Sequence, residues 1–267
     1  MTDALARELQ RVAEVDVLLV ALDFDGVLAP LVDEPGASRM LPEARAALVA
    51  LAALPRTRVA LVSGRGLDDL RAVGEAATGW LLAGSHGEEF DVGDGPVPAP
   101  VDEAVRADLI ARLEHAVAGL AGIRIERKPH GAAVHSRSAD ASAAERAQAA
   151  AVAAIDDLPG LKRRFGRDVL EVSLSTATKA DAIEALRREA GASAVVFAGD
   201  DVTDEDALAA LHPLDLGVKV GDAETVARHR VADPDAFARL LADLAGRRAA
   251  TVNSTGVDVS GGPSTAR

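Results

Sequence analysis

Residues 15–30, VDVLLVALDFDGVLAP, decide the fold of this chain of 267 residues. In this stretch an unbroken apolar run leads directly into Asp23, Phe24, Asp25 and Gly26. Continuous apolar runs of strand length are typical of strands whose two faces are both covered, as in a parallel sheet. We therefore expect a buried parallel strand with two aspartates at its carboxyl end, where open parallel sheets bind ligands. A purely structural alternative is an acidic turn in which Gly26 supplies a positive φ.

The same strand pattern recurs along the chain and alternates with helical segments. A helix is expected to open at Pro42, since proline suits the first turn of a helix. The further strand-like segments are RVALVSG (58–64), WLLAGS (80–85), AVVFAGD (194–200) and DLGVKVG (215–221). Strands that alternate with helices predict an α/β fold, with a Rossmann-like parallel sheet covered by helices on both faces.

The middle of the chain is organised differently. After a Gly/Pro-rich boundary at residues 93–100, short strands follow one another directly as hairpins, with two helical segments among them. Directly joined strands predict an antiparallel sheet. We expect an α+β cap domain at residues 97–174, inserted into a core formed by residues 1–96 and 175–248. The polar, Gly/Ser-rich residues 249–267 are expected to be disordered.

Composition excludes several classes of partner. The net charge of −13 argues against nucleic acid and anionic membranes, because both would repel the chain. No apolar run is long enough to span a bilayer, and the first residues lack the basic flank of a signal peptide. Since the chain has no cysteine, disulfides and thiol chemistry are absent, which fits the cytoplasm. The sequence carries no signal of oligomeric state, and a monomer is expected.

A second acidic motif follows another predicted strand in VFAGDDVTDEDAL, residues 196–208. Thr203 with Asp206 would form a capping box, and acids in a first helical turn suit the helix dipole. This structural explanation does not account for Asp200 and Asp201 at the strand end. Two strands that each end in paired aspartates would repel one another without a cation. A hard, oxygen-binding ion such as Mg²⁺ fits these ligands.

Two further residues are suited to binding phosphate. Ser63 ends a predicted strand just before a helix, where its hydroxyl and the nearby backbone amides could bind a phosphate oxygen. Serine ends many strands, so a structural role stays open for Ser63 alone. Lys179 lies at the start of a helix that Thr178 caps, where a cation opposes the helix dipole. A bound anion at this place would explain the lysine.

Together these segments resemble the motifs of the haloacid dehalogenase superfamily, which are DxDGxL, SGR, a downstream lysine and GDDxTDED. Over residues 15–245 the chain also resembles the trehalose-6-phosphate phosphatase family within that superfamily. The segments that carry this closer resemblance are LDFDGVLAP, LAGSHGEE, IERKPHGAAVHSR, VLEV around Glu171 and GDDVTDED. The resemblance implies a Mg²⁺-dependent phosphatase that acts on a small sugar phosphate, trehalose 6-phosphate, through an aspartyl-phosphate intermediate in trehalose biosynthesis.

The resemblance also assigns roles to residues of the core. It implies that Asp23 is the nucleophile and that Asp25 is the general acid and base. Ser63 and Lys179 would hold the phosphoryl group, and the neighbours of Ser63 in the SGR motif that would bind substrate with it are Gly64 and Arg65.

The implied metal site uses both acidic motifs. Mg²⁺ would be bound by Asp23, by the backbone carbonyl of Asp25 and by Asp200. The acids that would support these ligands from behind are Asp201 and Asp204.

In the cap, the resemblance implies that Glu126, Lys128 and Glu171 contact the sugar hydroxyls. His86 fits the family pattern, and we expect it to structure a turn. The chain departs from the family pattern at positions that carry none of these roles, and these are Val27, Ser173, Leu174 and Ala180.

Other functions fit part of the pattern. The same chemistry could act on sucrose phosphate, on glucosyl- or mannosyl-phosphoglycerate, or in a phosphosugar mutase, and the core motifs do not separate these. A non-catalytic domain that binds a sugar phosphate and regulates a synthase would not need both Asp23 and Asp25. A structural acidic Ca²⁺-binding protein would not explain Ser63 and Lys179.

Overall fold

The computed structural model describes residues 2–32, 34–93, 96–98, 101–166, 168–175 and 177–255. These residues divide into two compact units. The core unit lies within Met1–Val97 and Ala177–Arg267, and the inserted unit lies within Pro98–Thr176. Among the described helices, none combines the length and the apolar character that crossing a bilayer requires.

Strands and helices alternate along much of the chain. The described residues form twelve strands, which are β1 (Leu18–Leu22), β2 (Thr57–Val62), β3 (Leu81–Gly84), β4 (Glu89–Asp91), β5 (Pro96–Pro98), β6 (Arg124–Lys128), β7 (Gly131–His135), β8 (Lys162–Gly166), β9 (Val169–Ser173), β10 (Ala194–Gly199), β11 (Leu216–Val220) and β12 (His229–Val231). They also form eight α-helices, which are α1 (Asp3–Ala13), α2 (Pro42–Ala52), α3 (Leu67–Gly74), α4 (Glu103–Ala116), α5 (Ala141–Ala154), α6 (Lys179–Ala190), α7 (Glu205–Ala209) and α8 (Pro234–Thr255).

An eight-stranded sheet is built around β1. Its strand order is β12-β11-β10-β1-β2-β3-β4-β5. The strands from β12 to β3 are parallel, whereas β4 runs antiparallel to β3. All five residues of β1 are buried, which explains why its sequence is continuously apolar. The predicted α/β fold with a Rossmann-like parallel sheet is confirmed.

Helices cover both faces of this sheet. Successive side chains of a strand point to opposite faces. Accordingly, Val20 packs in one apolar cluster with residues of α1, α2 and α8, and Ala21 packs in another with residues of α6 and α7. Because both faces are covered, the polar groups that follow β1, β2 and β10 are left at the carboxyl edge of the sheet.

The inserted unit contains a four-stranded antiparallel sheet in the order β6-β7-β9-β8. Alternate residues of this sheet, such as Val134 and Leu170, pack against Leu109 and Leu113 of α4 and against Ala147 of α5. The combination of hairpin-joined strands and two helices is the α+β insertion that the sequence predicts.

The last helix corrects the expected start of the disordered tail. Disorder was expected from residue 249, but α8 continues to Thr255. The final turns are anchored by Arg248, which is 1% exposed and donates hydrogen bonds to backbone carbonyls of Ala13, Asp16 and Arg56. The polar composition of this segment therefore gave no sign of the helix, which the buried guanidinium of Arg248 holds against the residues that precede β1 and β2. Residues 256–267 of the expected tail lie outside the described residues.

Candidate active site

Asp23 follows the last residue of β1 and is 4% exposed. Its backbone N–H donates to Ala198 of β10, which continues the strand pairing by one step. The chain then turns sharply, because the N–H of Gly26 donates to the carbonyl of Ala29 at 2.8 Å. Gly26 has a φ of +76°, and a Cβ at this position would collide with the carboxylate of Asp200. The glycine therefore serves both the turn and the close approach of the second acidic motif.

A buried lysine lies against Asp23. Thr178 caps α6 as predicted, and the helix begins at Lys179, whose side chain is 3% exposed. Its Nζ lies 3.0 Å from Oδ1 of Asp23 and 2.6 Å from Oδ1 of Asp204. Burial alone would lower the pKa of Lys179, but the two carboxylates outweigh it and raise the pKa above the usual lysine value. Lys179 therefore remains an ammonium beside Asp23.

Three carboxylates gather around this lysine and could hold a metal ion. The ligand atoms of Asp23, Asp200 and Asp204 lie within 4.8 Å of one another. Burial raises the pKa of Asp23 well above its usual value, although Lys179 opposes the shift. Burial and the neighbouring Asp204 raise the pKa of Asp200 to about 6. One ammonium does not neutralise three acids, so the cluster has the oxygen donors and the excess negative charge that suit a divalent cation.

The second acidic motif is held by a different cap from the expected one. A 3₁₀ turn, Val202–Asp204, follows β10, and its capping box consists of Asp201 and Asp204. Oδ2 of Asp204 accepts hydrogen bonds of 3.0 Å from the backbone N–H groups of Asp200 and Asp201. The predicted capping box of Thr203 with Asp206 is therefore wrong, because the chain makes one 3₁₀ turn before α7 begins. Asp204 lies close to Asp23 and Asp200, and its expected role behind the metal ligands stays a prediction, whereas Asp201 is exposed.

The SGR segment forms a tight loop after β2. Ser63 is 2% exposed, and its Oγ accepts a hydrogen bond of 3.2 Å from the backbone N–H of Arg65. The next loop supports this one from the side, since the N–H of His86 donates to the carbonyl of Ser63 at 2.9 Å and that of Ser85 to Arg65 at 2.7 Å. The imidazole of His86 occupies the place that a side chain at Gly64 would need. His86 thus structures a turn, as expected, and this turn holds the predicted phosphate loop.

The side chain of Asp25 lies apart from the three acids. Its carboxylate accepts hydrogen bonds from Nε of Arg65 at 2.6 Å, from Nη2 of Arg65 at 2.8 Å and from the hydroxyl of Ser38 at 3.0 Å. Ser38, which is fully buried 13 residues after Asp25, was not predicted from the sequence. A serine in a loop carries no recognisable pattern of its own.

The residues expected to contact sugar share one face of the inserted unit. Glu126 lies opposite Ala133 in the sheet, and Ala133 lies opposite Glu171. Lys128 forms an ion pair with Glu171, and Glu126 contacts Nε2 of His135 at 2.7 Å. Burial alone would raise the pKa of Glu126, but His135 and Lys128 outweigh it and lower the pKa. The three predicted residues therefore form a charged, half-exposed patch on the sheet face opposite the helices.

The chain is similar to known proteins in sequence and in fold. The profile of a family described as trehalose-phosphatase matches residues 21–236. A trehalose-phosphate phosphatase of Mycolicibacterium paratuberculosis is 37% identical over 234 residues, covering 84% of this chain and 58% of that protein. The chain thus spans 58% of the length of this curated relative.

Solved structures share the fold at lower identity. The C-terminal domain of trehalose-6-phosphate phosphatase from C. albicans has a TM-score of 0.68 at 21% identity, over 91% of this chain and 97% of that one. The C-terminal domain of a Candida albicans trehalose synthase regulatory protein has a TM-score of 0.61 at 16% identity, over 92% of this chain and 98% of that one. Because both a phosphatase and a regulatory protein have this fold, the residues at the site must distinguish catalysis from regulation.

Proposed function

Because this chain belongs to the trehalose-phosphatase family, we propose that it hydrolyses trehalose 6-phosphate to trehalose and phosphate. The observation that carries the proposal is the buried pair of Asp23 and Lys179 beside two further carboxylates. A domain that only bound a sugar phosphate would gain nothing from a buried carboxylate facing the phosphate, since like charges repel. The arrangement is instead suited to a carboxylate nucleophile whose charge is offset by an ammonium.

The proposed cation is Mg²⁺, held by Asp23, Asp200 and Asp204 together with the backbone carbonyl of Asp25. When bound, Mg²⁺ would offset the negative charge of the phosphoryl oxygens. The donor set fits, because all three side chains offer carboxylate oxygens, which are the ligands that hard cations prefer.

The chemistry of the chain's own residues follows from their charges. Asp23 attacks phosphorus while Lys179 and the hydroxyl of Ser63 bind the phosphoryl oxygens, which lowers the repulsion between nucleophile and substrate. Asp25 gives a proton to the departing sugar oxygen and later takes one from the water that hydrolyses the aspartyl-phosphate. General acid catalysis of this kind typically contributes ~10²–10⁴-fold to the rate.

We also propose that the inserted unit is the cap that selects the sugar, through Glu126, Lys128 and Glu171. Its charged patch offers carboxylates and an ammonium to the many hydroxyls of a disaccharide. The negative charge of the chain and its lack of cysteine support action on a small molecule in the cytoplasm, rather than on nucleic acid or a membrane.

The intermediate tests this proposal. With an aryl phosphate, whose phenolate leaves without a proton, the Asp25→Asn variant should accumulate phosphorylated enzyme, because the proton acceptor for water is missing in the second step. After acid quenching, peptide mass spectrometry should find one phosphoryl group on the peptide that contains Asp23. If substrate turns over while neither wild type nor Asp25→Asn carries this group under any quench time, Asp23 is not the nucleophile.

A further inference from the structure

The carboxylate of Asp25 is held away from the acidic cluster by an arginine. Although Asp25 is only two residues from Asp23, the described acids that could bind one ion are Asp23, Asp200 and Asp204. Both oxygens of Asp25 instead accept hydrogen bonds from the guanidinium of Arg65. A paired guanidinium and carboxylate of this kind has two parallel hydrogen bonds, which fix orientation as well as distance.

Arg65 is itself held from several sides. Its side chain is 10% exposed, and its Nη1 donates to Asp69 of α3 at 2.7 Å. Its guanidinium carbon lies 5.8 Å from the centroid of the Phe24 ring. The pKa of Arg65 is raised, chiefly by its hydrogen bonds with Asp25, so the charge is permanent. A planar guanidinium with this many constraints is a rigid support, which a flexible ammonium would not be.

The backbone of Arg65 belongs to the predicted phosphate loop. Its N–H donates to Oγ of Ser63, and its carbonyl accepts from the N–H of Ser85. One residue therefore fixes the loop expected to bind phosphate through its main chain and fixes Asp25 through its side chain. The hydroxyl of Ser38 donates to Asp25 as well and completes its orientation.

We propose that Arg65 is a positioning residue, which keeps the Asp25 carboxylate out of the cation cluster and directs it to proton transfer. Without a fixed positive partner, a carboxylate next to a cation site would be drawn to the cation. It would then be a poor proton donor for the departing sugar oxygen. This inference rests on the proposed function, and it replaces the expectation that the side chain of Arg65 binds substrate.

The test compares two leaving groups in the variant Arg65→Gln. A sugar alkoxide leaves poorly without a proton, whereas the phenolate of an activated aryl phosphate leaves without one. Because kcat/KM reports steps up to formation of the phosphoenzyme, it isolates proton donation from the later attack of water. We expect kcat/KM for trehalose 6-phosphate to fall roughly 10²-fold, at the lower end of a general acid's contribution. We expect kcat/KM for the aryl phosphate to stay close to that of wild type.

A double variant shows whether Arg65 acts through Asp25. If it does, Asp25→Asn with Arg65→Gln should lose no more kcat/KM for trehalose 6-phosphate than Asp25→Asn alone. Arg65→Lys, which keeps the charge but not the paired donors, should recover part of the loss. Arg71→Gln is the matched control, since Arg71 lies on α3 and pairs with Asp91. It should leave kcat/KM for both substrates unchanged.

Equal losses of kcat/KM on both substrates, or additive losses in the double variant, would overturn the inference and return Arg65 to substrate binding. If Arg65→Gln does not fold, the same two substrates are compared in Ser38→Ala, which removes the other hydrogen bond to Asp25. We then expect a smaller loss of kcat/KM, confined to trehalose 6-phosphate. Failure of the proposed function is separate, because wild type itself would then not hydrolyse trehalose 6-phosphate while still hydrolysing the aryl phosphate.

Discussion

The ammonium of Lys179 lies 3.0 Å from Asp23, and both side chains are almost wholly excluded from solvent, at 3% and 6% exposed. Asp204, which is fully buried, shares the same ammonium. Removing one partner from a buried ion pair is costly, since the other charge is left without compensation. The residue proposed to offset the substrate's charge therefore also contributes to the stability of the free protein.

Replacing this lysine should damage both stability and activity. Lys179→Met leaves two buried carboxylates without their cation, and we expect a loss of ~3–5 kcal/mol in the free energy of unfolding at neutral pH. Chemical denaturation measures this loss. The double variant with Asp204→Asn should regain most of the stability but no phosphatase activity. Recovery of activity in the double variant would show that Lys179 has no role in the chemistry.

Asp200 should destabilise the metal-free protein above pH 6. Its pKa in the folded protein is about 6, raised from 3.8. Between these values the folded state binds the proton more tightly than the unfolded state, so this group's contribution to stability falls as pH rises from about 4 through 6. At pH 7.5, Asp200→Asn should stabilise the metal-free protein by ~1–2 kcal/mol, after allowance for partial solvent screening.

Added Mg²⁺ should make wild type more stable than Asp200→Asn, the reverse of the order expected without metal. Binding to the folded state stabilises wild type, whereas Asp200→Asn has lost a ligand and should gain little. Thermal denaturation with and without EDTA measures both effects, and the exposed Glu224→Gln serves as the control acid. A wild-type protein whose melting temperature does not respond to Mg²⁺ would argue against a cation at this cluster.

Arg248 should contribute to stability and not to catalysis. Its guanidinium donates to the Thr57 hydroxyl and to four main-chain carbonyls, those of Ala13, Val15, Asp16 and Arg56. Since unsatisfied buried acceptors cost ~1–3 kcal/mol each, Arg248→Met should lower the free energy of unfolding by at least ~3 kcal/mol. The neighbouring Arg247→Met, which loses a more exposed pair with Asp243, should have a small effect. Activity per folded molecule should be unchanged in both, and a specific loss in Arg248→Met would contradict a purely structural role.

Substitutions in the charged patch of the inserted unit should weaken recognition of the sugar without slowing cleavage of the phosphate ester. Glu126→Ala, Lys128→Ala and Glu171→Ala should each lower kcat/KM for trehalose 6-phosphate by roughly 10- to 150-fold, since a hydrogen bond to a charged group contributes ~1.5–3 kcal/mol. The three variants should hydrolyse an aryl phosphate, which has no sugar, with nearly the same kcat/KM as wild type. Arg127→Ala is the control on the same strand, because Arg127 pairs with Glu114 of α4. Equal losses on both substrates would mean that these residues only hold structure.

The sequence predicted most of the core site, for a physical reason. Apolar strands that end in polar residues specify both the parallel sheet and the edge where Asp23, Ser63 and Asp200 lie. What the sequence did not predict depends on contacts between distant segments or on the choice of one turn. Arg65 meets Asp25 across 40 residues, and the place of Asp204 depends on a 3₁₀ turn that its own carboxylate caps. Neither the long-range pairing nor the 3₁₀ geometry leaves a local pattern in the sequence.

The most direct test of the central claim is phosphate release from a panel of sugar phosphates by the purified chain with Mg²⁺. The panel contains trehalose 6-phosphate, sucrose phosphate and glucosyl-phosphoglycerate, with Asp23→Asn as the inactive control. We predict that kcat/KM is highest for trehalose 6-phosphate and that Asp23→Asn releases no phosphate from any of them. Binding of trehalose 6-phosphate without release would contradict the account in favour of a regulatory domain, and a higher kcat/KM for another member would contradict the assigned substrate.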